Sequence, residues 1–151
     1  MNIDDLKDKS VLIIGCPASG KTFLSDKFKQ AGFDVIHTDD YISYGFNDSL
    51  YELLKDIDGK DLKNTVIEGV IGYRLLRKGQ ELNSYSPDVV IELKPEIDLV
   101  QSRYAASRGI DKFKSVLSLI KANETVLNQY HQTVKNKPEW ITLEDSEVLF
   151  A

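Results

Sequence analysis

The sequence is short of cysteine, of excess positive charge and of long apolar runs, and each shortage removes a class of answer. Its single cysteine, Cys16, excludes an intramolecular disulfide and any metal site built on a cysteine cluster. No apolar stretch approaches the roughly 20 residues that cross a bilayer, so no membrane span or membrane partner is expected. The first residues, Met1-Asn2-Ile3-Asp4-Asp5-Leu6-Lys7-Asp8-Lys9, are acidic and have no signal-peptide core, which predicts a cytoplasmic protein. A net charge of -5 argues against indiscriminate binding to long nucleic acid, while local basic stretches from Arg74 to Lys78 and Arg103 to Lys114 leave room for a groove. There is no repeat at solenoid spacing and no low-complexity tract. With 151 residues, a single domain spanning 1–151 is expected, with no room for a second enzyme module.

What the sequence does contain is an alternation of short apolar runs with helical stretches, the signature of a parallel sheet covered by helices. Strands are expected at Ser10 to Ile14, Phe33 to His37, Thr65 to Glu68, Asp88 to Leu93 and Trp140 to Leu143. Helices are expected from the residues after Thr22 to about Ala31, over Ser49 to Ile57, and over Tyr73 to Lys78, where Gly79 stops the turn. A further helix follows Pro95 and ends at Gly109, and a longer helical region is closed by Pro138. The fold class predicted is α/β: one doubly wound parallel sheet of about five strands with a helical lid. Ligands of such sheets bind beyond the carboxyl ends of the strands.

The first of those strand ends carries the strongest motif. Gly15-Cys16-Pro17-Ala18-Ser19-Gly20-Lys21-Thr22 fits G-x-x-x-x-G-K-[ST], the phosphate-binding P-loop, between the apolar run Val11-Leu12-Ile13-Ile14 and a helix. Glycines let the backbone bend so that successive N–H groups point at phosphate oxygens, and the helix adds the positive end of its dipole. Gly15, Ala18, Ser19, Gly20, Lys21 and Thr22 are therefore the expected ATP-binding residues. Lys21 reaches the β- and γ-phosphates and the Thr22 hydroxyl ligates Mg²⁺. Asp39 and Asp40 follow the second strand directly, where aspartate also serves as a turn or N-cap residue. Beside a P-loop, a carboxylate that orients a hydroxyl acceptor and takes its proton gives the pair a chemical role. Asp40 then positions its neighbour or helps to hold hydrated Mg²⁺.

The two motifs, Gly15 to Thr22 and His37-Thr38-Asp39-Asp40-Tyr41, resemble those of the P-loop kinase domain of polynucleotide 5′-hydroxyl kinases. Those enzymes carry a similar Gly-Cys-Pro-x-Ser-Gly-Lys-Ser/Thr loop and an Asp-Asp-Tyr motif after the second strand. The resemblance implies that Asp39, the first acid of the pair, is the general base. It extends to kinases of nucleosides and sugars, and it covers barely a tenth of the chain. The polynucleotide kinases place an arginine after Asp-Asp-Tyr to bind the acceptor's phosphate, whereas this chain has Ile42. A different hydroxyl acceptor is therefore implied: a nucleoside, nucleotide or nucleic acid, with hydroxymethyluracil in DNA among the candidates, or a small sugar or other metabolite.

Arg103 and Arg108 resemble the lid arginines that close over the triphosphate in P-loop kinases; their spacing of five does not put both on one helical face. Glu68, at the end of the third strand, is a candidate for the magnesium shell or an ordinary strand-end charge. Arg74 and Arg77 lie within reach of the crevice or on an exposed helix face. His37 reads as a strand end and His131 as a surface residue. Cys16 lies among amide dipoles that lower a thiol pKa, yet a catalytic thiol is not expected there. A non-kinase P-loop ATPase or nucleotide switch is the competing class, although it leaves Asp39-Asp40 without an acceptor to act on.

Overall fold

The computed structural model describes residues 2–44, 46–108 and 113–144, and the side chains of Ile42 and Arg108 lie outside the described residues. The strands are β1 (Ser10–Gly15), β2 (Asp34–His37), β3 (Thr65–Glu68), β4 (Val89–Leu93) and β5 (Glu139–Leu143). The helices are α1 (Lys21–Gln30), α2 (Phe46–Ile57), α3 (Gly72–Glu81), α4 (Ile97–Arg108) and α5 (Phe113–Thr133). All five strands pair in parallel in the order β2-β3-β1-β4-β5.

β1, β3 and β4 are buried along their whole length, as their largely apolar character requires in a sheet covered on both faces. Side chains alternate across the sheet. Val11 and Ile13 face Leu24 and Phe28 of α1. Leu12 and Ile14 face Leu53 of α2, Leu75 and Leu76 of α3, and Leu127 of α5. Helices on both faces make the sheet doubly wound, as the alternation predicts. Among the described residues no helix is long and apolar enough to cross a membrane.

Three local differences from the sequence expectation have physical causes. A 3-10 turn at Ile3–Leu6 precedes β1: the Asn2 side chain accepts a hydrogen bond from the Asp4 amide, Asp5 accepts one from the Asn2 amide, and Ile3 and Leu6 are buried on the α1 face. Helix α5 ends at Thr133, well before Pro138, where Gln80 donates to the Thr133 carbonyl (2.7 Å) and the Thr133 hydroxyl donates to Gln80 (3.1 Å).

Gly79 does not stop α3, which continues to Glu81. A Cβ at this position would lie 2.7 Å from the Cβ of Tyr85 and 2.9 Å from its carbonyl oxygen, so the glycine serves close packing of the following loop. Gly79→Ala is accordingly expected to destabilise the protein by about 1–3 kcal/mol through overpacking, even though alanine favours a helix. Thermal unfolding checks this, and an unchanged midpoint would contradict it.

Candidate active site

The chain leaves the carboxyl end of β1 at Gly15, turns through the phosphate loop and enters α1 at Lys21. Ala18 (φ 65°) and Gly20 (φ 102°) adopt left-handed conformations, the kind of turn from which anion-binding concavities of backbone N–H groups are built. The Ser19 hydroxyl is buried there without a hydrogen-bond partner among the described residues. A Cβ on Gly15 would come within 2.4 Å of that oxygen, so the first glycine of the motif is needed for closure. Lys21 is only 7% exposed, and its ammonium donates to the carbonyls of Gly15 (2.9 Å) and Cys16 (2.8 Å). Thr22 is exposed in the first turn of α1, which holds no acidic residue to compete with an anion for the helix dipole. From α4, Arg103 donates to the Ala18 carbonyl at 3.5 Å, which brings one of the two expected arginines onto the loop.

Asp39 and Asp40 are exposed in a 3-10 turn, Thr38–Tyr44, that begins where β2 ends. Tyr41 anchors this turn to α2: its hydroxyl donates to Asp56 (2.7 Å) and its carbonyl accepts from Ser49 (2.7 Å). On the other side, Gly69 (φ 143°) lets Thr38 pack against the end of β3; a Cβ there would collide with the Thr38 hydroxyl. β3 separates β2 from β1, and adjacent strands lie about 4.8 Å apart, so the acid pair starts about 10 Å across the sheet end from the phosphate loop. That gap suits a transferring phosphoryl group and its acceptor.

Glu68 lies between the two motifs, buried (3% exposed), with its carboxylate 2.5 Å from Nδ1 of His37, its register partner on β2. Its carboxylate and the strand-end histidine form one pair. Among the described residues no group of three or more His, Cys, Asp or Glu is placed to hold a metal. This donor set still fits Mg²⁺, which keeps several waters and takes one or two protein ligands plus phosphate oxygens, with Thr22 at the helix start as the available hydroxyl. Burial pushes the Cys16 thiol above its ordinary pKa, against the opposing charge of Lys21 and the loop's own hydrogen bonding. Desolvation thus outweighs the amide dipoles expected to lower it. Arg77 donates to Gln129 of α5 at 2.8 Å and braces the two helices.

Beside the loop lies a cavity of about 140 Å³, bounded by Cys16, the carboxyl end of β4, Tyr73 at the start of α3, and the Asn123–Leu127 stretch of α5. Glu92 and Asn123 are residues that the motif reading passed over. Both left a signal: Glu92 interrupts a buried apolar strand, and Asn123 occupies a buried position seven residues after Val116 and seven before Tyr130. Burial, then the charge of Glu92, pushes the Tyr73 phenol strongly upward, so it stays a neutral donor.

The same fold occurs in solved kinases. A shikimate kinase from Acinetobacter baumannii, in complex with shikimate, superposes with a TM-score of 0.62 at 12% identity over 93% of this chain and 86% of its own. A gluconokinase from Sinorhizobium meliloti 1021 matches with a TM-score of 0.54 at 13% identity, covering 90% of this chain and 82% of that one. A deoxyadenosine kinase from M. mycoides with bound dCTP matches with a TM-score of 0.52 at 16% identity, covering 91% and 90%. No protein-family model matches the chain, and no curated protein matches it in sequence. The chain has the fold of P-loop kinases.

Proposed function

We propose that this protein is an ATP- and Mg²⁺-dependent phosphotransferase that moves the γ-phosphate to a hydroxyl of a nucleoside, nucleotide or nucleic acid. The observation that carries this reading is the shared location of two chemistries at one sheet end. A phosphate cradle with Lys21 and Arg103 faces the exposed Asp39-Asp40 turn across the width of one intervening strand. A switch or simple ATPase has no use for the second half.

In this reading the loop amides and Lys21 hold the β- and γ-phosphates. Arg103, or Arg108 from the end of the same helix, balances charge that develops on the transferring group. Asp39 accepts the proton of the acceptor hydroxyl as the oxygen attacks phosphorus, and Asp40 supports it. Bound Mg²⁺ supplies charge neutralisation to the phosphate oxygens; Thr22 is the residue that would hold it, with Asp40 and Glu68 as candidates for its outer shell. A cytoplasmic location, where ATP is abundant, belongs to the same proposal.

A small sugar or other metabolite is the alternative acceptor, since the fold is shared with kinases named for shikimate and gluconate. The test is incubation with γ-labelled ATP and separate pools of nucleosides, nucleotides, sugars, DNA with free hydroxyls and hydroxymethylated DNA. Label is expected in one of the nucleoside-type pools. Label in the sugar pool selects the alternative, and free phosphate alone across all pools overturns the kinase reading.

A further inference from the structure

We propose that the cavity beside the phosphate loop binds an organic cation: a protonated primary amine carried on an apolar stem. The proposal goes beyond phosphoryl transfer and does not rest on it.

One wall of the cavity holds a buried acid without a counter-charge. Glu92 is 6% exposed, and its Oε1 accepts from Nε1 of Trp140 at 3.2 Å. Among the described residues it has no ion-pair partner. Lys94, which also lines the cavity, is exposed and pairs with no acid. Lys21, on the far side of Cys16, is engaged by the carbonyls of Gly15 and Cys16. A buried carboxylate in this state costs stability until a cation joins it.

Two further polar side chains share the space. Asn123 and Tyr73 are each more than nine-tenths buried, and neither makes a side-chain hydrogen bond among the described residues. Neither is sealed in protein, however. Among the described residues the sealed, unpartnered side-chain atoms belong to Ser19, Thr38, Ser84 and Tyr85. The Asn123 amide, the Tyr73 hydroxyl and the second oxygen of Glu92 thus open onto the cavity that these residues line. Burial, then the charge of Glu92, pushes the Tyr73 phenol upward, which marks the phenol and the carboxylate as neighbours.

The chemistry of the occupant follows from these groups. An ammonium brings three N–H donors and no acceptor, which suits a carboxylate, an amide oxygen and a phenol oxygen. A quaternary ammonium has the charge but no donor, and would leave the amide and phenol unpaired. A divalent metal is the poorer match, because no group of three or more His, Cys, Asp or Glu is gathered among the described residues. The remaining walls include Leu93, Val100 and Leu127, against which CH₂ groups of a stem are favourably buried. The cavity is open to solvent, so the stem can continue outward and its length is not selected. Glu124, exposed on the same lining, adds negative charge that draws a cation in.

Trp140 is the chain's sole tryptophan and donates to Glu92, so its emission reports on the cavity without any need for catalysis. The full-length protein, without ATP, is titrated at neutral pH with n-butylammonium chloride, n-butanol, tetramethylammonium chloride and potassium chloride. n-Butylammonium is expected to change the emission saturably, and the other three to leave it unchanged at the same concentrations. Glu92→Gln keeps a carbonyl oxygen for Trp140 and removes the charge. It is expected to keep or raise the thermal midpoint while weakening n-butylammonium binding by about tenfold or more. Asn123→Leu, close in volume, tests the amide separately and is expected to weaken binding by about fivefold. Absence of a wild-type response, an equal response to any of the other three solutes, or wild-type affinity in either variant overturns the proposal.

Discussion

Lys21→Ala is expected to lower phosphoryl transfer by about 10³-fold or more, the scale of losing a preorganised charge at the reacting group. The side chain has two jobs, however. Its ammonium also bonds the carbonyls of Gly15 and Cys16, so truncation leaves buried acceptors unpaired at a cost of about 1–3 kcal/mol. A loss of activity could then reflect a collapsed loop. Lys21→Met keeps the aliphatic stem that fills the loop's base while removing the charge and its hydrogen bonds to the two carbonyls. Both variants are expected to lose transfer alike, while Lys21→Met keeps more of the thermal stability. Wild-type turnover in either, measured with labelled ATP, would refute the role given to the loop.

Asp39→Asn is expected to separate catalysis from binding. The side chain is exposed on the 3-10 turn, so the isosteric amide costs little stability. A lost general base should slow transfer by about 10²- to 10⁴-fold, while the affinity for ATP changes little because the loop lies about a two-strand span away. Single-turnover rates and equilibrium ATP binding give the two numbers. Equal damage to both would make Asp39 a metal-shell or structural residue. Asp40→Asn, by contrast, is expected to be the milder change, since its role is support.

The parts of the site that sequence alone reveals are those whose chemistry is local. The phosphate loop needs Gly15 for closure and Gly20 for a left-handed turn, and these needs are written within eight consecutive residues. The acid pair is legible because it follows an apolar strand at once. What sequence does not show is whatever depends on register. The His37–Glu68 pair exists because β2 and β3 align those two residues, and neither could be assigned the other by inspection. Gly79 illustrates the opposite error. Read locally, a glycine after a helical run is a stop; in the fold it is the place where Tyr85 crosses the helix. Glu92 and Asn123 lie between these cases. Their polarity in buried segments is visible in the sequence, but not that β4 and α5 bring the two residues to the same cavity.

The strand order has a consequence for how the chain acquires its shape. β1 sits at the centre of the sheet, yet Ser10 pairs with Thr65 and Val11 with Val89, so its partners are made long after it. During synthesis the apolar run Val11–Ile14 has the Ile3–Leu6 turn and α1 to shelter one face, while the other face waits for α2 and α3. Such non-local pairing slows folding, because loop-closure entropy must be overcome before the sheet contacts compensate for it. The phosphate loop, strung between β1 and α1, is therefore expected to take its final form only after β3 and β4 have paired with β1.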